Sequence, residues 1–206
     1  MERGLILKWL ILRIIGRLAF PIFAFMIAEG CYYTKNKAKY FFMIFGLGSI
    51  CQLVFFFLTG SLYQGILMTF SLSIICIYVI DNYFKKRDWK SLSLMIFVVL
   101  STIFLSVILP TISTKTGFEF DYSYLGVLLP ILIYFSNNKL QKLLFTATIM
   151  CLLSYMYYSY QLYSLLALPL LLLYNGERGK YRLKYLFYIF YPAHLVIVYF
   201  LSLFIR

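Results

Sequence analysis

The chain has 206 residues, of which 63% are hydrophobic, 21% aromatic and only 13% charged, and its formal net charge is +12. Soluble domains average about 45–50% apolar and about 25% charged residues, so this composition excludes an ordinary soluble domain. The long apolar runs instead predict an all-α fold: a polytopic integral membrane helical bundle that forms one domain over residues 1–206.

Eight segments are predicted to span the membrane, since a spanning helix needs about 20 mainly apolar residues. In chain order they are Ile11–Tyr32, Tyr40–Leu58, Leu62–Ile80, Leu92–Leu109, Tyr122–Phe135, Leu140–Tyr157, Leu162–Tyr174 and Leu183–Phe204. The segments Tyr122–Phe135 and Leu162–Tyr174 are short and contain Pro130 and Pro169. We expect these two either to extend into their loops or to be broken or re-entrant where protein surrounds them.

The loops between these segments alternate in charge. Most of the 19 Lys and Arg residues lie in four of them: Lys35–Lys39, Lys85–Lys90, Lys139–Lys142 and Arg178–Lys184. The intervening loops Thr59–Ser61, Thr111–Asp121 and Tyr158–Gln161 carry one basic residue or none. Loops rich in Lys and Arg stay in the cytoplasm. The alternation therefore predicts a multi-pass protein of a bacterial-type cytoplasmic (inner) membrane, with its basic loops cytoplasmic and no nucleic-acid partner.

The start of the chain breaks this pattern. Alternation places it on the outer face, yet Arg3, Lys8 and Arg13 cluster there. A chain with an outer N-terminus normally has few basic residues ahead of its first span. The favoured explanation is one more spanning helix ahead of this sequence. The alternative is that Gly4–Leu12 lies in the interface as an amphipathic helix.

The stretch Gly16–Gly30 carries ionisable residues at membrane depth, which is a costly placement and marks a candidate functional site. Arg17 falls in the outer half of the membrane and offers five hydrogen-bond donors. It either snorkels to the outer interface or faces inward. Glu29 lies at the cytoplasmic helix end, where the helix dipole disfavours a carboxylate. We expect it to have a cationic partner, with Lys35 and Arg178 as candidates.

Two later segments carry further candidates. His194 is the only histidine, and imidazole has an unperturbed pKa near neutrality. It is either a catalytic base or a packed, hydrogen-bonded core residue. The run Asn175–Gly179 predicts a tight cytoplasmic turn in which Gly176 permits positive φ. Arg178 and Lys180 there either hold phosphates or serve as a cytoplasmic anchor.

Five blocks of the sequence carry a resemblance to a known family. They are GRLAFPIFAFMIAEG (Gly16–Gly30), Ala167–Leu170, Tyr174–Gly179, Lys184–Tyr188 and Tyr191–Leu195. In the order and spacing of these blocks the sequence resembles the TraX family of conjugal-transfer proteins, which is associated with acetylation of the pilin N-terminus. The resemblance covers essentially the whole chain. More distantly, Arg17 with Pro21, Phe23 and Gly30 is similar to the second helix of the membrane acyltransferase superfamily.

The resemblance implies an enzyme that moves an acetyl group from cytoplasmic acetyl-CoA to an acceptor amine or hydroxyl, on a pilin-like N-terminus or a cell-surface polymer. TraX-like proteins usually begin with a helix bearing an Asp-His pair, and that histidine is the family's leading candidate for the base. This chain starts after it, which indicates either a misplaced start codon or a remnant that lacks its base. The site expected here is catalytic His194 and Arg17 with cofactor-binding Arg178, Lys180, Gly176 and Glu29.

Two other functions remain open from the sequence. One is a non-catalytic or truncated membrane paralogue that holds a partner. The other is a transporter or channel, which would need polar side chains facing one another along a path, and the spans offer few: Gln52, Gln64, Arg17 and His194. No metal site is expected, because the four cysteines are scattered through apolar runs and indicate small buried hydrophobic residues.

Overall fold

The computed structural model describes residues 2–113, 117–157, 159–176 and 193. Within these ranges the regular structure is helical, and β pairing is limited to one bridge between Gln64 and Phe120. The predicted all-α class is therefore confirmed. The chain folds into two compact units: one contains Thr34–Val127, and the other combines Met1–Tyr33 with Leu128–Glu177. A single membrane domain over residues 1–206 stays a prediction.

The helices follow the predicted order. They are α1 (Glu2–Tyr33), α2 (Lys37–Thr59), α3 (Ile66–Lys86), α4 (Trp89–Ile103), α5 (Leu109–Ile112), α6 (Ser123–Phe135), α7 (Lys139–Met156) and α8 (Ala167–Leu173). A π-helical turn, Phe104–Ile108, joins α4 to α5, and a 3₁₀ segment, Ser159–Leu166, leads into α8. The predicted helix Leu183–Phe204 lies outside the described residues.

Three helical stretches in the described part of the chain are long and apolar enough to cross a membrane: Lys37–Thr59, Ile66–Lys86 and Trp89–Ile112. Ser123–Phe135 and Gln161–Leu173 are shorter apolar helices. These stretches support membrane association, whereas the count of eight spans stays a prediction. The predicted span Leu162–Tyr174 is divided into the 3₁₀ segment and α8, which agrees with the expectation that it might be broken.

The first helix is longer than predicted. It runs unbroken from Glu2 to Tyr33, with Pro21 inside it, so Gly4–Leu12 belongs to the same helix as the following span. Its 32 residues extend about 48 Å, which exceeds the hydrocarbon core of about 30 Å. The boundary expected at Ile11 is therefore absent.

In the unit formed by Thr34–Val127, α3 packs between α2 and α4. Half of the apolar stretch of α3 is buried, compared with 17% for α2 and 11% for the helical stretch that begins at Trp89. The sequence of α3 supports this greater burial. Small polar side chains such as Thr69 and Ser73 are buried where α3 packs against its neighbours, and side chains of this size let helices approach closely. The outer faces carry exposed rings such as Phe57 and Phe97, which suit contact with lipid.

At each end of this unit, contacts connect loops that the sequence analysis assigned to the same side of the membrane by their content of Lys and Arg. At one end, Lys37 and Lys85 both approach Asp81 Oδ2, at 2.5 and 2.8 Å. At the other end, the Gln64 N–H donates to the Glu119 carbonyl at 2.7 Å. In this unit, two of the loops predicted to be cytoplasmic therefore meet at one end, and two of those predicted to be outside meet at the other.

The same contacts explain where the predicted limits of α3 were wrong. The helix begins at Ile66 and not at Leu62, because Gln64 pairs with the neighbouring loop before the helix starts. It continues past Ile80 to Lys86, because Asp81 is held by the two lysines and does not end the helix.

No disulfide bond joins any of the four cysteines. Cys31, Cys51 and Cys76 are buried, as predicted, whereas Cys151 is exposed on α7. The prediction of a buried hydrophobic residue is therefore wrong for Cys151, because it lies with Leu144, Thr148 and Tyr155 on an exposed side of α7.

Candidate functional site

The unit that contains α1 is organised by one buried stripe on that helix. Phe20, Ala24, Ala28 and Cys31 are 0–3% exposed, and their spacing of three or four residues places them on one helical face. The 3₁₀ segment packs against both α1 and α7. Helices α1, α7 and α8 and the 3₁₀ segment thus form a common core.

Arg17 lies on the continuation of this stripe, because it is three residues before Phe20 and seven before Ala24. Its side chain is half-buried, and no salt bridge within the described ranges includes it. Pro21 has no N–H to donate to the Arg17 carbonyl. The inward-facing and the snorkelling alternatives for Arg17 both stay predictions, as does a catalytic role.

Glu29 forms a partly buried ion pair near the other end of α1. Its Oε1 lies 2.7 Å from Lys142 Nζ, and the two side chains are 15% and 23% exposed respectively. Lys142 Nζ also lies 5.4 Å from the centre of the Phe25 ring, within the range of a cation–π contact. The predicted cationic partner therefore exists, and among the described residues it is Lys142, which the sequence analysis did not name. Of the two named candidates, Arg178 lies outside the described residues.

Lys139 fixes the end of α8 to the start of α7. Its Nζ donates to the Leu172 carbonyl and, at 2.7 Å, to the Tyr174 carbonyl. These are carbonyls of the last helical turn and the residue after it, which lack partners within the helix and attract cations. The chain that leaves α8 is therefore held beside α7.

Tyr174 joins this end of α8 to the ion pair. Its ring meets that of Phe25 edge-on, with centroids 5.5 Å apart. Burial raises the pKa of the Tyr174 hydroxyl, and the nearby Glu29 carboxylate and Tyr33 raise it further. The neutral form of the Tyr174 hydroxyl is therefore favoured in the folded chain.

Gly176 then turns the chain with φ at 80°, a left-handed conformation that residues with a Cβ rarely adopt. This confirms the positive φ predicted at that glycine. Arg178 and Lys180 follow it in the sequence and lie outside the described residues, as does His194. The structure therefore brings Glu29, Lys142 and Tyr174 together, close in sequence to the turn at Gly176. Arg17 lies on α1, as Glu29 does, about 18 Å away along the helix axis.

Sequence analysis missed Lys139 and Lys142 as members of this cluster, which we call the Glu29 cluster: Glu29, Lys142, Lys139, Phe25 and Tyr174. Both lysines had been assigned only to a cytoplasmic loop. One signal was present, because their spacing of three places them on one face of a helix. Their partners lie more than 30 residues away in the chain, so only the packing of α1, α7 and α8 could identify them.

Comparison with known protein families gives a match over nearly the whole chain. The family model described as TraX protein matches residues 5–202. No curated protein and no solved structure matches the chain.

Proposed function

Because the chain belongs to the TraX family, we propose that it is a membrane-embedded acyltransferase that uses acetyl-CoA from the cytoplasm. The observation that carries this proposal is the family match over residues 5–202. The family is associated with pilin acetylation in conjugation, which suggests a pilin-related role. The proposed acceptor is an amine or hydroxyl on a pilin-like N-terminus or a cell-surface polymer.

The proposed reaction is a direct acyl transfer. The acceptor nitrogen or oxygen attacks the thioester carbonyl carbon, the bond from that carbon to sulfur breaks, and the CoA thiolate leaves. A base takes the acceptor proton, and His194 is proposed for this role because it is the only imidazole in the chain. The proton then passes to the thiolate, so the products are the acetylated acceptor and CoA.

Arg17 is proposed to stabilise the negative charge that develops on the carbonyl oxygen. Its half-buried position on the packed face of α1 supports this role, since a donor acts most strongly where water is excluded. A guanidinium that pointed into lipid could not act in this way.

The Glu29 cluster is proposed to position the loop that binds CoA. Lys139 holds the carbonyls of Leu172 and Tyr174, so the chain enters the turn at Gly176 from a fixed point. Arg178 and Lys180 would then hold the CoA phosphates through charge-assisted hydrogen bonds. Because Lys142 pairs with Glu29, the carboxylate is neutralised and does not repel those phosphates.

The proposal is tested by giving the purified chain, in lipid vesicles, acetyl-CoA with a radiolabelled acetyl group and a pilin-like peptide with a free N-terminus. We expect label in the peptide. An Arg178→Gln, Lys180→Gln variant should raise the KM for acetyl-CoA by about tenfold or more. Lys86→Gln is the matched control, since it removes a cation from a different basic loop.

Arg17→Gln and His194→Gln should lower kcat by about a hundredfold or more and leave the KM for acetyl-CoA nearly unchanged. Specific binding of CoA without transfer would favour the non-catalytic paralogue. An absence of both would remove the enzymatic assignment.

A further inference from the structure

The turn between α3 and α4 presents a basic and aromatic surface that neither the proposed acyl transfer nor the Glu29 cluster uses. α3 ends at Lys86 and α4 begins at Trp89. Both helical stretches, Ile66–Lys86 and Trp89–Ile112, are long and apolar enough to cross a membrane, and a turn that joins two spanning helices lies at the membrane surface. We call Phe84–Lys90 the α3–α4 turn, and every side chain in it is exposed.

Two rings in this turn indicate its depth. Trp89 is 79% exposed and Phe84 is 58% exposed. An indole ring favours the headgroup level of a bilayer, because its body is apolar and its N–H is polar. With Trp89 at that level, the residues on either side of it lie at the depth of the lipid phosphates.

Two of the four cations in the α3–α4 turn lie near carboxylates. Lys85 Nζ pairs with Asp81 Oδ2 at 2.8 Å. Asp88 accepts hydrogen bonds from the Ser91 N–H, at 3.2 Å, and from the Ser91 hydroxyl. The hydrogen bond from Ser91 lowers the pKa of the Asp88 carboxyl, and the charge of Lys86 lowers it further. These two carboxylates are therefore already engaged by other groups.

Arg87 and Lys90 are the remaining two cations, and no salt bridge within the described ranges includes either of them. Arg87 has φ at 51°, a left-handed conformation that glycine adopts at lower cost, so the backbone does not favour an arginine there. Lys90 lies in the first turn of α4, where the helix dipole disfavours a cation. An anion held by both residues would offset these charges.

An exposed apolar face continues from Lys90 along α4. Leu94 and Phe97 follow it by four and seven residues, which places all three on one side of the helix. Leu94 is 48% exposed and Phe97 is 68% exposed. The surface thus combines cations at the headgroup level with an apolar face that continues into the membrane. This combination suits a phosphate that carries a hydrocarbon chain better than a soluble phosphate.

We propose that the α3–α4 turn binds an anionic glycerophospholipid, with its phosphate held by Arg87 and Lys90 and an acyl chain along Leu94 and Phe97. The guanidinium group holds a phosphate through two parallel hydrogen bonds, and the ammonium group adds a second charge. A zwitterionic lipid has a cationic group beside its phosphate, which these residues repel, so the site selects lipids of net negative charge. The proposal is independent of acyl transfer, because it depends only on this turn and α4.

The test uses the full chain in vesicles of equal parts phosphatidylglycerol and phosphatidylcholine, with bromine on the chains of one lipid or the other. Trp9 and Trp89 are the two tryptophans, so Trp9→Phe leaves Trp89 as the fluorescent reporter. Brominated chains quench a nearby indole, and quenching is measured relative to vesicles without bromine. We expect the quenching to give phosphatidylglycerol a binding constant about tenfold higher than that of phosphatidylcholine. Equal quenching by the two brominated lipids would overturn the proposal.

Three substitutions in this background separate a specific site from a general attraction of basic residues to an anionic surface. Arg87→Gly and Lys90→Gln should each lower the preference for phosphatidylglycerol by about fivefold. Lys85→Gln is the matched control, because it removes the same charge from the same turn but from a lysine that is paired with Asp81. It should change the preference by less than about twofold. Equal losses in Lys85→Gln and Arg87→Gly would overturn the proposal.

Arg87→Gly is the decisive variant, because glycine suits the left-handed conformation at this position and the variant should fold at least as well as the unmodified chain. Loss of the lipid preference with an unchanged or raised melting temperature supports the proposal, and an unchanged preference overturns it. Glycerophosphoglycerol, which is the phosphatidylglycerol headgroup without its chains, distinguishes a lipid from a soluble phosphate. It should leave the quenching unchanged, and relief of the quenching would show that the ligand is a soluble phosphate and overturn the proposal.

Discussion

At the scale of single residues, the structure assigns partners to charges that the sequence could only locate. Glu29 and Asp81 are both acidic residues near the end of a long helix, and both are paired with lysines. They differ in their surroundings. Among the described residues, Asp81 has two lysine partners, one of them largely exposed. Glu29 has one lysine partner there, and that lysine also lies over an aromatic ring.

This difference predicts unequal effects of removing a lysine. Lys142→Met leaves Glu29 partly buried without its ion pair, and the free energy of unfolding should fall by about 1–3 kcal/mol. Lys85→Met should cost only about 0–1 kcal/mol, because its side chain is exposed and Asp81 keeps Lys37. Chemical unfolding in mild detergent measures both values. Adding Glu29→Gln to Lys142→Met should restore part of the loss, and equal losses in the two lysine variants would contradict the prediction.

Tyr63 predicts a dependence of stability on pH. Burial, followed by the charge of Asp121, raises the pKa of its hydroxyl well above the ordinary value of 10.0. The neutral phenol is therefore favoured in the folded state. The neutral Tyr63 hydroxyl contributes to the free energy of unfolding. This contribution is fully present below about pH 10, where tyrosine in the unfolded chain is also neutral, and it is lost as the pH rises above that value.

We therefore expect Tyr63→Phe to be less stable than the unmodified chain at pH 8, by about 1–2 kcal/mol for a hydrogen bond to a carboxylate. The gap should narrow between about pH 9 and 11, since only the unmodified chain can ionise at this position on unfolding. Unfolding free energies across this range provide the measurement. Tyr155→Phe is the control, because Tyr155 is 92% exposed. If the unfolding free energies of Tyr63→Phe and of the unmodified chain changed in parallel with pH, the raised pKa of the Tyr63 hydroxyl in the folded state would be refuted.

At the scale of elements, close approach between helices decides which small residues are essential. Gly126 in α6 lies against α3, and a Cβ there would lie 3.0 Å from Thr69 Cγ2 and 2.8 Å from Tyr122 Cβ. Beside it, Ser73 of α3 donates to the Val127 carbonyl at 2.9 Å. The contact between α3 and the start of α6 therefore has no room for a side chain at this position.

Gly126→Ala should accordingly lower the free energy of unfolding by about 1–3 kcal/mol, as overpacking does. Gly46 is the matched control, because it lies inside α2 and no atom lies within 4 Å of a Cβ built there. Gly46→Ala should be neutral or raise stability by about 0.5–1 kcal/mol, since alanine favours a helix. Thermal unfolding of the two variants measures the difference. A Gly126→Ala protein as stable as the unmodified chain would contradict the prediction, because it would mean that α6 and α3 leave room for a Cβ at this position.

At the scale of the whole molecule, the alternation of charge predicts a direction across the membrane. The ion pairs of Asp81 mark one end of their unit, and the pairing of Gln64 with Glu119 marks the other. From the excess of basic residues, the Asp81 end is predicted to be cytoplasmic and the Gln64 end to be outside.

Cysteine labelling tests this direction. In a background with the four native cysteines replaced by alanine, Leu62→Cys should react with a membrane-impermeant maleimide in intact spheroplasts. Lys86→Cys should react only after permeabilisation. Reaction of Lys86→Cys in intact spheroplasts would reverse the assignment, and protection of both would place the Gln64 end within the membrane.

The sequence by itself determined the helical class, the order of the apolar segments, the family and the two groups of loops, because these depend on local composition and on the periodicity of apolar residues. It also anticipated the positive φ of Gly176, since only glycine adopts that conformation at little cost. Only the tertiary structure decided that Lys142 pairs with Glu29, that Lys139 holds the end of α8 and that Tyr63 donates to Asp121. These residues are distant in the chain, and the close packing of helices brings them together through contacts that no local pattern encodes.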